Sequence, residues 1–284
     1  MAGKRGGAPH SAFATIFPKV YTERKDVTVH IPIAKVAFRA LGALLALSVL
    51  SGCASLGGAP NRDRAKIHLQ VAADRAARKE FGAAIEATRK AIDTDPSYEA
   101  AYNHLALLYL ETKRYEKAEE AFKKALEVQP NYPEVWNNMG VLLNRQGRFR
   151  EAIPYLEKAT QSESYSSPEN ALTNLGYSYF RLGDFAKAKL YHQRALDVAP
   201  LFCLAHKNLG DVYAKEGNFK KAAQQFEKAV EHCPLFQESE FKLALVMVKL
   251  GERAQAKQRL ERFVEKHREG PLVERSEHIL KFLK

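Results

Sequence analysis

From about residue 65 onward the chain repeats itself at an interval of 34 residues, and few features narrow a fold as far as a fixed period does. Four stretches align: HLALLYLETKRYEKAEEAFKKALEVQP from His104, NMGVLLNRQGRFREAIPYLEKA from Asn138, NLGYSYFRLGDFAKAKLYHQRALDVAP from Asn174 and NLGDVYAKEGNFKKAAQQFEKAVEHCP from Asn208. One interval is longer by two residues, where SESYSSPE intervenes. Ala, Leu, Lys, Glu, Arg and Gln dominate this region, while Val, Ile and Thr are sparse, so the repeating unit is helical.

Six copies fit, starting near Ala65, Glu99, Pro133, Glu169, Cys203 and Gln237. The eighth position of each is small: Ala72, Ala106, Gly140, Gly176, Gly210 and Ala244. The twentieth is Ala84, Ala118, Ala152, Ala188, Ala222 and Ala256. A closing proline stands at Pro96, Pro130, Pro200 and Pro234, and is replaced by Ser164 in the third copy and Arg268 in the sixth. This pattern resembles the tetratricopeptide repeat, a helix A, a turn and a helix B. The small residues let two helices approach, and large ones at positions 4, 7, 11, 17 and 24 fill the gaps. Gly147, Gly183, Gly217 and Gly251 supply the turns. Pro154 falls early in a helix B, where a small kink is expected rather than a break.

No single repeat buries its apolar face, so stacking must make one core. The expected fold is therefore all-α: a right-handed superhelical solenoid of six tetratricopeptide repeats over residues 65–270. A C-terminal capping helix over 271–284 would cover the open end with Ile279, Leu280 and Leu283.

Ahead of the repeats, ALGALLALSVLSGCASLGG begins with 13 uncharged residues, Ala40 to Gly52. That is short of the roughly 20 needed to span a bilayer as a helix. With Lys35 and Arg39 before it, the run reads as the core of a signal peptide. Its end, Leu50-Ser51-Gly52-Cys53, resembles the lipobox of bacterial lipoproteins. The resemblance implies cleavage before Cys53 and acylation of its thiol and new amino terminus. Two or more acyl chains hold a protein stably to a membrane. The alternative is a buried helix with an incidental cysteine. In the Gram-negative lipoproteins that this resembles, an Asp just after the Cys favours inner-membrane retention; with Ala54 there, the resemblance implies an outer-membrane, periplasm-facing location. A signal peptide is usually 15–30 residues, so residues 27–52 are assigned to it, with translation starting at Val27 or Val29. Residues 1–26 are then a non-translated or disordered extension, and 53–64 the lipidated Cys and a flexible tether.

Cys203 and Cys233 open helix A and end helix B of the fifth repeat, and antiparallel helices bring such ends together. A disulfide is expected in the oxidising compartment that Cys53 implies. It would close a loop of about 31 residues, worth roughly 3–4 kcal/mol on the loop-entropy model. Two buried thiols, or a zinc site with His206 and His232, are the other arrangements; His206 at position 4 also reads as an ordinary core residue.

The formal charge is +11, with 44 Lys/Arg against 33 Asp/Glu. Spread over this length, it is weak evidence for an anionic partner, and no basic run with interleaved aromatics suggests nucleic acid. No phosphate loop and no nucleophile with a placed base appears. An enzyme, a cofactor, a metal and a small-molecule substrate are therefore not expected. Asn138, Asn174 and Asn208 recur at position 6 and read as structural.

In the tetratricopeptide fold, positions 2, 5, 9 and 12 of helix A line a concave face. The expected partner-binding groove is Leu69, Asn103, Leu107, Leu110, Asn137, Val141, Tyr177 and Phe180. Asn144, Lys207, Asp211, Phe241, Leu245 and Val248 occupy the same positions. Taken as a groove, the set is apolar and suits an amphipathic helix or an extended apolar segment; taken as packing, it joins neighbouring repeats. Signal peptide, lipobox, tether and six repeats together resemble the type IV pilus biogenesis and stability lipoproteins, the pilotins. The resemblance implies binding of outer-membrane secretin subunits. A general envelope scaffold for peptidoglycan enzymes or outer-membrane protein assembly has the same layout.

Overall fold

The computed structural model describes residues 61–283. The extension, signal peptide and Cys53 anchor expected from the sequence lie on residues outside these. Pro60–Lys284 forms a compact unit of its own.

Among the described residues there are thirteen helices and no strand, paired in chain order. The first repeat is α1 (Arg62–Ala77) and α2 (Phe81–Thr94). The second is α3 (Glu99–Glu111) and α4 (Tyr115–Val128), and the third α5 (Pro133–Arg145) and α6 (Phe149–Gln161). The fourth is α7 (Pro168–Arg181) and α8 (Phe185–Val198), and the fifth α9 (Cys203–Lys215) and α10 (Phe219–His232). The sixth is α11 (Gln237–Lys249) and α12 (Arg253–His267), followed by the terminal α13 (Pro271–Leu280). Within each repeat the odd-numbered helix packs on its even partner, and from α3 onward each odd-numbered helix also packs on the helix before it, so consecutive repeats stack. The first helix begins earlier than the sequence suggested. Asn61 caps it by accepting a hydrogen bond from Arg64 N at 2.9 Å, and residues 62–64, assigned to the tether, are helical.

The turns show how the period is built. Gly147, Gly183, Gly217 and Gly251 all take the left-handed conformation, with φ between 76° and 84°. That conformation lets three residues reverse the chain between helix A and helix B, and glycine enters it without steric cost. The first two repeats use Lys79 (φ 63°) and Lys113 (φ 59°) at the same place. A residue with a Cβ costs roughly 1–2 kcal/mol there. Replacing Lys113 with glycine is therefore expected to raise the unfolding free energy by about 1 kcal/mol, read from urea midpoints at unchanged slope.

The paired small residues do what their spacing requires. A Cβ built on Gly210 would lie 2.7 Å from Cε1 of Phe226, and one on Gly176 2.7 Å from Cε1 of His192; Gly140 lies as close beneath Leu156. All six alanines at position 20 are fully buried. The two-residue insertion is absorbed by Tyr165, which is buried with Ala159 and Ala171 and packed by Trp136, between the third and fourth repeats. At the far end α13 closes the core chiefly with Val273, while Ile279, Leu280 and Leu283 contribute as half-buried neighbours. No helix among the described residues is long and apolar enough to cross a membrane.

Candidate functional site

The odd-numbered helices stand side by side on one face of the stack, the face expected to hold a partner. The structure divides the expected groove into two classes. Leu107 (7% exposed), Leu110 (1%) and Asn137 (8%) are buried and offer almost no surface. Leu69 is half-buried and packs with Ala65, Ala91, Ala101, Ile92 and Tyr98 at the junction of repeats one and two. For these four residues packing prevails over a groove: the same helix face that would meet a partner must first meet the next repeat. Asn103, Val141, Tyr177 and Phe180 remain half-buried and reachable.

The floor between them is polar, which corrects the expectation of an apolar groove. Asn138 Nδ2 donates to Asn103 Oδ1 (3.1 Å), and Asn174 Nδ2 donates to Asn137 Oδ1 (2.9 Å). Asn144 donates from Nδ2 to Asn174 O (3.2 Å), and its Oδ1 accepts from Ser178 Oγ (2.8 Å). These bonds tie repeats two, three and four together through side-chain amides, because nearly buried amides must find partners. Asn138 and Asn174 are thus structural in a definite sense, as links between repeats.

In repeats five and six the same face carries paired charge. Lys242 Nζ lies 2.7 Å from Asp211 Oδ1 and 2.8 Å from Glu238 Oε1, and Lys207 Nζ lies 3.4 Å from Asp211 and 3.6 Å from Glu238. Burial pushes the Glu238 carboxyl up, but Lys207 and Lys242 more than offset this and hold it below its ordinary range. Burial likewise lowers Lys242, and Asp211 and Glu238 reverse it to a net rise. The charged forms of Glu238 and Lys242 are therefore favoured, and the quartet sets two basic side chains against two acidic ones.

What the face still offers is an aromatic shelf at repeats three and four. Tyr177 meets Phe149 edge-on at 6.2 Å between centroids, and Phe180 lies 5.8 Å from Phe185. The Arg181 guanidinium sits 4.6 Å over the Phe149 ring and donates from Nη1 to the Tyr177 hydroxyl at 2.7 Å. Half-buried aromatics held by a cation are the usual anchors of a protein interface.

Cys203 and Cys233 are joined in a disulfide, with Cα atoms 6.2 Å apart. Their sulfurs are bonded to each other and so are not thiolate ligands for zinc. His206 is occupied as well, with Nε2–H donating to Pro200 O (2.9 Å) and Nδ1 2.8 Å from the Gln225 carboxamide. Among the described residues no group of three or more His, Cys, Asp or Glu could hold a metal.

Two histidines that the sequence reading passed over are strongly perturbed by burial. His192 occupies position 24 of its repeat, where Phe122, Leu156, Phe226 and Leu260 stand in others. It is fully buried, and neither ring nitrogen makes a hydrogen bond. Burial, with a smaller contribution from Lys207, pulls its pKa down to about 3. His104 is also buried, and burial pulls it to about 4. Thr88 donates its proton to Ala84 O (2.8 Å), so it accepts from Nδ1–H of His104 (3.0 Å), which fixes the neutral tautomer. The signal for His192 was present in the sequence, as a polar ring in the column that otherwise faces the small eighth residue.

Sequence models of the tetratricopeptide repeat match residues 75–140, 131–200, 173–235 and 238–269. No curated protein matches the chain. Among solved structures, the crystal structure of PilW, described as a widely conserved type IV pilus biogenesis factor, is 25% identical with a TM-score of 0.70. The match covers 75% of this chain and 98% of that one. PilF of Pseudomonas aeruginosa is 22% identical with a TM-score of 0.66, covering 76% of this chain and 98% of its own. MamA of Desulfovibrio magneticus is 21% identical with a TM-score of 0.53, covering 61% of this chain and 97% of its own. The PilF and MamA likenesses bear on the fold alone.

Proposed function

This chain belongs to the tetratricopeptide repeat family, and from that premise we propose that it is a lipid-anchored pilotin. In this reading Cys53 carries the lipid that fixes the protein to the outer membrane, facing the periplasm. The face of the odd-numbered helices holds secretin subunits and promotes their assembly for type IV pilus biogenesis. The observation that carries the reading is the likeness to PilW, with a TM-score of 0.70 over 98% of that chain against 0.53 over 97% of MamA. A match through the repeats alone would suit any scaffold; the closer superposition, together with the lipobox expected ahead of the repeats, supports this one. Tethering also confines both partners to a thin layer, so a modest affinity suffices.

The test uses the full chain, extracted from membranes and captured with its partners for mass spectrometry. Leu107 and Leu110 are poor positions to change because they are buried; Val141→Arg with Tyr177→Ala and Phe180→Ala alters the reachable part of the face. Secretin subunits are expected with the unaltered chain, and at least about tenfold less with the triple variant, since interface aromatics commonly carry more than 1 kcal/mol each. Recovery of peptidoglycan enzymes or barrel-assembly proteins without secretin would replace the pilotin reading by that of a general envelope scaffold.

A further inference from the structure

The turns from helix A to helix B lie along one edge of the stack, and the loops from helix B to the next helix A lie along the other, because the paired helices are antiparallel and the repeats are stacked. Charge is divided between these edges. Counting from the last residue of each helix A to the third of helix B, the six turns hold fifteen Lys/Arg and seven Asp/Glu. The six segments on the opposite edge, counted the same way, hold one Lys/Arg and seven Asp/Glu.

Helix energetics account for only part of the basic edge: Arg145, Arg181, Lys215 and Lys249 end a helix A, where the dipole favours a cation, but the cations that open helix B have no such reason. Helices α2, α8, α10 and α12 have no acidic residue in the first turn. Instead, Lys187 in α8, Lys220 and Lys221 in α10 and Arg253 in α12 stand there. Cations at a helix N-terminus oppose the helix dipole, so this placement is locally unfavourable. Neither are the charges neutralised within the chain. Among the described residues only Arg148 and Lys187 of the fifteen form ion pairs, and all but Arg148 are exposed.

We infer that this edge docks on the anionic phosphate headgroups of a lipid bilayer. A row of turns presents its cations to a surface along a line, and each Lys or Arg near an anionic bilayer adds to the attraction. Leu182, 37% exposed, sits at the tip of one basic turn, and the half-buried Leu250 at another. Apolar tips among cations suit the boundary between headgroups and acyl chains. The acidic edge of a second copy is a poorer match, because Asp95, Glu99 and Glu238 on it are already paired with Arg62, Lys207 and Lys242. Nucleic acid is a poorer match too, since the aromatic residues that open helix B are half-buried rather than presented for stacking.

The inference stands apart from the lipid anchor and is tested without it, on the compact unit of residues 60–284. Co-sedimentation is measured with vesicles of phosphatidylcholine alone and of phosphatidylcholine with phosphatidylglycerol in equal parts. Binding is expected only to the second, and is expected to fall as salt rises to about 0.5 M. Changing Arg114, Arg145, Arg150 and Lys220 to Gln is expected to weaken it at least about tenfold. Changing Lys90, Arg194, Lys228 and Arg262 to Gln removes as much charge from the even-numbered helices and is expected to weaken it far less. Equal loss in the two quadruple variants would reduce the effect to net charge and overturn the inference. So would the absence of binding to phosphatidylglycerol vesicles at low salt, self-association abolished by the first variant without vesicle binding, or tighter binding to a DNA oligonucleotide than to the vesicles.

Discussion

Removing the Cys203–Cys233 bond, by reduction or by the double substitution Cys203→Ala and Cys233→Ala, is expected to lower the unfolding free energy by about 3–4 kcal/mol. The bond spans 30 positions in sequence and joins the first residue of α9 to the residue just after α10. In the unfolded chain it forbids every conformation in which those ends separate, and that restriction is what reduction releases. Marginally stable domains hold roughly 5–15 kcal/mol in all, so the change is a large share. Urea unfolding with and without dithiothreitol measures it. Equal midpoints in the two conditions would mean that the bond contributes nothing to stability in solution. The double alanine variant separates loss of the bond from any effect of the reductant.

Acidification from pH 7 to pH 5 is expected to cost about 4 kcal/mol, divided almost equally between His192 and His104. An ordinary histidine titrates near 6.5. In the folded protein His192 is held to about 3 and His104 to about 4. Between those values and 6.5 the unfolded chain takes up protons that the folded chain refuses, so acid favours unfolding. Stability is therefore complete above pH 6.5 and declines as the pH falls below it. Each histidine contributes about 2 kcal/mol by pH 5. His192→Phe is expected to remove about half of this loss, because phenylalanine already fills the same column beneath Gly210 as Phe226. It also removes two buried nitrogens that make no hydrogen bond. Urea midpoints at pH 7, 6 and 5 for both proteins decide the matter. A wild-type midpoint independent of pH would show that these rings are accessible to protons in the folded state.

Most of the fold could be read from the sequence because its rules are local. A glycine turn or a small residue beneath a large one is specified within about sixteen residues, and periodic spacing displays it several times over. Side-chain fates that depend on the next repeat were less legible. Leu110 and Phe180 occupy the same position of the repeat, yet one is buried and the other reachable. Position alone does not say how closely the following helix approaches. The carboxamide links through Asn137 and Asn144 join residues of adjacent repeats and have no signature within one. Lys79 and Lys113 took a glycine's place in the turn because the stack supports a conformation that lysine alone avoids. The charge of the two edges escaped notice for another reason. Summed along the chain it is a mild excess of lysine and arginine; sorted by position within the period, one edge has a surplus of cations and the other a surplus of carboxylates.

The disulfide also changes what the array does under tension. A force applied between the two ends of the repeats travels along the backbone to Cys203, crosses the sulfur–sulfur link and continues from Cys233. The residues between them carry no load. Stretching could draw out the other repeats one after another, but this one releases no slack, which withholds roughly 100 Å of contour length at full extension. The fifth repeat is thus an inextensible segment in an otherwise yielding chain.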